Sequence, residues 1–71
     1  MNNNLAVPTF TELNRLSERT ALSRLDSTER ELEAAVDRFE FFEDHAKVRA
    51  LKKRQELLVI RRIEYLRGVR A

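Results

Sequence analysis

Residues 26–62 read DSTERELEAAVDRFEFFEDHAKVRALKKRQELLVIRR. No glycine or proline interrupts this run, and those are the residues that end helices most strongly. Leu25, Leu32, Phe39, Ala46 and Ile60 fall on one seven-residue line. Val36, Ala50 and Leu57 fall on the adjacent line, and Ala35, Phe42 and Ile63 widen the stripe. This is a coiled-coil-like seam with a period near 3.5, broken by Lys53 on the first line and by Glu29, Glu43 and Glu64 on the second. It predicts one long helix over about 28–67. A helix of about 40 residues is roughly 60 Å long, so something must cover its length.

The charges along the same run indicate how that cover is arranged. Asp26, Glu33 and Glu40 are followed at the same seven-residue interval by Lys47, Arg54 and Arg61. Residues 1–43 hold five arginines and nine acids, a net −4, whereas residues 44–71 hold nine bases and three acids, a net +6. Laid against itself head to tail, the run pairs Glu40 with Lys47, Glu33 with Arg54 and Asp26 with Arg61. Exposed pairs contribute only about 0.2–1 kcal/mol each, enough to select an antiparallel orientation but not to drive association. Burial of Leu32, Phe39, Phe42, Leu57 and Ile60 would supply the driving force, at about 1.5–3 kcal/mol for each side chain fully buried.

Two arrangements satisfy this pairing. The helix runs straight and crosses a second copy, or the chain bends near 43–46 into a hairpin. No Gly, Pro or Asn lies at the bend, and Ala46 and Ala50 would let two straight helices approach closely. The expected fold is therefore all-α: a short helix over about 10–25, then the long helix, assembled as an antiparallel coiled-coil-like homodimer. The helical hairpin is its domain-swapped equivalent. The expected dimer core is Leu25, Leu32, Phe39, Phe42, Ala46, Ala50, Leu57, Ile60 and Ile63.

Outside this run the signals are local. Thr9-Phe10-Thr11-Glu12 has capping-box spacing, so residues 1–8 read as a flexible tail and 9–71 as a single helical domain. Phe10, Leu13, Leu16, Leu22 and Leu25 line the first helix, though Leu22 falls nearly opposite Leu13. Asp26-Ser27-Thr28 gathers three good N-cap residues, and Thr28 and Glu31 repeat the capping-box spacing, which predicts a turn there. Gly68 reads as the left-handed residue closing the long helix, with Val69 packing back on it.

Composition narrows the function. Seventy-one residues with 37% charged side chains, one Gly and one Pro suit solvated helices rather than sheets. The absence of cysteine excludes disulfides and thiolate metal sites. No apolar run reaches the roughly 20 residues of a membrane span, and the start lacks a signal-peptide pattern, so a cytoplasmic chain is expected. His45 is the only histidine and has no nucleophile in motif context. Neither metal-ligand spacing nor a phosphate-binding loop is present, so neither enzymatic activity nor a cofactor is expected. Residues 57–66 are apolar on more than one side, as in helices with two packing partners. The expected function is a non-enzymatic protein–protein interaction module, an adaptor, chaperone-like partner or inhibitor. The alternative is a nucleic-acid-associated regulator using the basic second half. Lys52, Lys53, Arg62, Tyr65 and Leu66 are the candidate contacts to a protein or nucleic-acid partner.

Leu51-Lys52-Lys53, followed by Leu57 and Ile63, is loosely similar to the second helix of small hairpin proteins of the YdcH type. The spacing after the lysines differs by a residue, and Arg61-Arg62 stands where an acidic pair is expected, so no family follows.

Overall fold

The computed structural model describes residues 6–70, the last in its backbone alone. Three helices form a body of 42 × 20 × 16 Å: α1 (Phe10–Asn14), α2 (Glu18–Phe41) and α3 (His45–Arg70). The two long helices pack against each other as an antiparallel hairpin, and α1 lies across them.

The capping box at Thr9 forms as its spacing predicts. The Thr9 hydroxyl accepts the Glu12 amide at 3.1 Å, and the Thr9 amide donates to the Glu12 carboxylate at 3.2 Å. That carboxyl is held below its ordinary range, first by the bond from the Thr9 backbone amide and then by Thr9's side chain. Of the tail expected over 1–8, residues 1–5 lie outside the described residues. Pro8 is buried and Val7 packs on the core, so the packed chain begins before Thr9.

The first helix does not reach residue 25. It ends at Asn14, and Ser17 starts α2 by accepting the Thr20 amide at 3.2 Å. The turn expected at Asp26-Ser27-Thr28 is continuous helix instead. The cause is the line Ala21, Leu25, Thr28, Leu32, Ala35, Phe39, which alternates steps of three and four residues straight through that segment. All six face the hairpin interior, the last half-buried. Thr28 can occupy a seam position because its hydroxyl donates to the Arg24 carbonyl at 2.8 Å, leaving no polar atom unsatisfied. The early break also accounts for Leu22: it belongs to a different helix from Leu13.

The single long helix over 28–67 is likewise replaced, here by a bend at Phe42-Glu43-Asp44. The Asp44 amide donates to the Phe39 carbonyl at 2.9 Å and the Glu43 amide to the Glu40 carbonyl at 3.0 Å. These are the two bonds of a Schellman cap, which needs a left-handed residue. Glu43 takes that place with φ 57°. Asp44 then caps α3, its carboxylate accepting the Lys47 amide at 3.2 Å and its carbonyl the Val48 amide at 3.0 Å. Local capping thus does the work usually given to glycine.

The bend resets the phase of the seam. On α3 the inward line is Val48, Leu51, Gln55, Leu58, Arg62, Tyr65, again in steps of three and four, with Gln55 and Arg62 half-buried and the rest buried. Leu13, Leu25 and Leu32 are fully enclosed. Gly68 does not close α3. The helix continues to Arg70 and Gly68 has ordinary φ. It gives room instead to Phe10, whose Cζ would lie 3.3 Å from an added Cβ.

Candidate interaction surface

With α3 rotated in this way, much of the expected seam faces outward. Leu25 and Leu32 lie in the core and Phe39 is half-buried, but Ala46, Ala50, Leu57, Ile60, Ile63 and Phe42 are exposed. The physical reason is the turn. A frame extrapolated from α2 through residues 42–44 assumes unbroken helical rotation, and the chain does not supply it. Leu57, Ile60 and Ile63 form a strip on the outer side of α3, with Ile60 53% exposed, and Val59, 59% exposed, flanks it at the groove beside Glu33. Lys53, Glu56, Glu64 and Arg67, all exposed, border it. Phe41 and Phe42 stand at the hairpin tip, 81% and 67% exposed, their rings meeting edge to face at 5.2 Å.

The orienting pairs expected from the charge reversal form with other partners. Asp26 meets Arg62 at 3.1 Å rather than Arg61, and Arg62 also holds Glu29 at 3.0 Å. Glu40 approaches Lys52 at 3.9 Å rather than Lys47. Lys47 sits over the Phe39 ring at 4.7 Å, a cation–π contact. Glu33 lies beside Gln55, Leu58, Val59 and Arg62 in an open groove of ≈ 240 Å³, whereas Arg54 borders another of ≈ 280 Å³ with Phe39, Lys47, Ala50 and Leu51. Acids of α2 therefore face bases of α3 as the antiparallel order requires, through a different set of residues. The turn shifts the frame of α3 by one position, so the seven-residue line Val48, Gln55, Arg62 faces α2 in place of Lys47, Arg54, Arg61.

Arg61 turns toward the N-terminal segment. It donates to the Pro8 carbonyl at 3.4 Å, and its Nε lies 3.3 Å from the Glu64 carboxylate. That Nε is buried and makes no hydrogen bond, the carboxylate lying off its N–H direction.

The candidate partner contacts divide accordingly. Tyr65 is a core residue, Leu66 is half-buried and Arg62 is committed to the hairpin, while Lys52 and Lys53 are exposed. Phe41 was not singled out from sequence, and Glu43 was read as a break in the seam rather than as the left-handed residue of a turn. A line drawn from Asp44 as a new N-cap, rather than continued from α2, gives the observed frame of α3. His45 opens α3 and is exposed. Among the described residues no three His, Asp or Glu side chains gather as a metal site, and no helix is long and apolar enough to cross a membrane.

Compared with known proteins, the chain matches no family model, no curated protein and no solved structure.

Proposed function

We propose that this chain is a non-enzymatic helical interaction module of the cytoplasm, an adaptor or inhibitor that engages another protein through the outer face of α3. One observation carries the reading. The fold leaves Leu57, Ile60 and Ile63 exposed along the outer face of α3, and three of its four phenylalanines, Phe10, Phe41 and Phe42, at the surface. Large apolar side chains gathered along one helix face mark interaction sites, and residues in such a strip act as anchors when a partner desolvates them. Self-association into an antiparallel, coiled-coil-like homodimer is part of the reading, because the same exposed residues serve a second copy.

A photo-crosslinking amino acid at Ile60 or Ile63 tests it, with Arg30 on the exposed side of α2 as the control. The expected result is a discrete adduct from the α3 positions, lost in an Ile60→Asp, Ile63→Asp double variant that keeps its helical signal. Equal labelling from Arg30 would refute the proposal.

A second reading, nucleic-acid binding, draws on the exposed cations of α3: Arg49, Lys52, Lys53, Arg54 and Arg67. Arg61 and Arg62 are drawn into the fold, which thins the basic surface. This reading expects affinity for duplex DNA that falls linearly on a log–log plot against salt. Absence of a complex at low salt would remove it.

A further inference from the structure

We infer that the outer strip of α3 seats a second copy of the folded hairpin, the two α3 helices lying antiparallel in one defined register. This rests on the reading of that strip as the interaction surface and names its occupant. Ala50, Lys53, Leu57, Ile60, Glu64 and Arg67 are all exposed. They follow one another in steps of three, four, three, four and three residues, so they share one face of the helix. Val48, Leu51, Leu58 and Tyr65 point the opposite way, into the hairpin core.

That series of steps reads the same in both directions. A copy turned head to tail therefore lays its line on the first. Leu57 meets Ile60 of the second copy, Lys53 meets its Glu64 and Ala50 meets its Arg67. By two-fold symmetry each contact is made twice. Leu57, Ile60 and, at the edge, Ile63 supply the apolar surface that drives association. The small Ala50 leaves room for the apolar stem of Arg67 to lie across it.

Charge chooses this register among those that pair apolar residues. Centring the two helices on Ile60 would stack Leu57 on Ile63, but it would also set Lys53 against Arg67 and Glu56 against Glu64. Sliding further the same way joins Glu56 to Arg67, yet it leaves Lys53 against Arg70 and drops residues 47–52 from the overlap, because α3 ends at Arg70. A parallel pair would set Lys53 on Lys53 and Glu64 on Glu64. Only the register with Lys53 on Glu64 unites unlike charges at both ends of the strip and spans residues 47–70. Glu64 contacts its own Arg61 at 3.3 Å and stays half-exposed, open to a second cation. Arg54 comes beside the second copy's Arg61, but that guanidinium is turned in on the Pro8 carbonyl and Glu64, where its charge is already met.

Charge exchange at the two ends of the strip tests this, with the full chain followed by light scattering over a concentration series. The native chain should form a dimer that dissociates on dilution. Lys53→Glu sets acid against acid at two places in the pair, and Glu64→Lys sets base against base. Each should raise the dissociation constant about tenfold, as expected for two exposed pairs reversed in sign. Both positions lie outside the core, so the helical signal should be unchanged. The variant carrying both substitutions should regain most of the loss, and so should an equimolar mixture of the two single variants, since every facing pair is again unlike. A dimer indifferent to Lys53→Glu, or a double variant no tighter than the single ones, would overturn the register and the inference with it. A monomer at every concentration would overturn the second copy as occupant. If a photo-crosslinker at Ile60 then still captured a different protein, the interaction-module reading would stand; if it captured nothing, both would fall.

Discussion

Glycine at position 43 should stabilise the closed fold, and the size of the gain follows from the backbone. Glu43 holds φ 57°, which costs a residue with a β-carbon about 1–2 kcal/mol. Glycine removes that cost but adds freedom to the unfolded chain, which takes back about 0.4–1 kcal/mol. The net expectation for Glu43→Gly is a gain of about 0.5–1 kcal/mol. For a domain of this size about 1 kcal/mol moves Tm by roughly 4–8 °C. Urea unfolding followed by circular dichroism, at low protein concentration, should show a higher midpoint with an unchanged slope. Charge is the competing explanation, because Glu43 lies between Glu40 and Asp44 at the negative end of α2, where an acid is unfavourable by about 0.3–1 kcal/mol. Glu43→Gln separates the two, since it removes the charge and keeps the β-carbon. If Gln stabilises as much as Gly, or if Gly lowers the midpoint, the backbone argument fails.

Other expectations follow from single contacts. Leu32 is fully enclosed, so Leu32→Ala should cost about 2–5 kcal/mol, a large share of the stability of a chain this short, and should abolish the cooperative thermal transition or shift it far down. Arg62→Met keeps an apolar stem but loses two half-exposed ion pairs, each worth about 0.2–1 kcal/mol. The loss should shrink in 1 M salt, and a double-mutant cycle with Glu29→Gln should show coupling. The Glu12 carboxyl is held low by Thr9, so its stabilising effect is present above its ordinary value of 4.5 and fades as pH falls through its lower folded value. Titration of Glu12 by NMR should place its midpoint below 4.5, and Thr9→Val, which removes the hydroxyl but keeps the backbone amide, should bring that midpoint only part of the way back up.

Helix type, the Thr9 cap and the antiparallel meeting of an acidic half with a basic half were legible in the sequence. The break after Asn14 was not, and the bend near 43–46 stood only as the alternative to a straight helix. Ser17 gave a weaker signal than Asp26-Ser27-Thr28, yet the apolar line through Ala21, Leu25, Thr28 and Leu32 outweighed those caps, because burying that line takes more apolar surface from water than a cap can return. At the bend, the lack of glycine argued for a straight helix, but the Schellman bonds and the Asp44 cap offset the strain at Glu43. With a straight helix preferred to the bend near 43–46, the frame on α3 was carried over from α2. Gln55 and Arg62 look like surface residues, so the true line through Val48, Leu51, Leu58 and Tyr65 was less conspicuous than Leu57, Ile60 and Ile63. The exposed strip was therefore read as the core of a dimer.

Arg61 reaches Pro8 across 53 positions of chain, and Phe10 rests against Gly68. On a ribosome this N-terminal segment emerges before both long helices and is thus among the last parts to find its seat. α2 can form as it appears, whereas α1 waits for the far end of α3 to be made. At about 5–20 residues per second that delay is several seconds, long compared with the microseconds in which a helix forms. Throughout it Leu13 has no lid. The five-residue α1 is in this sense a closing step, and its docking reports that the whole hairpin has been delivered.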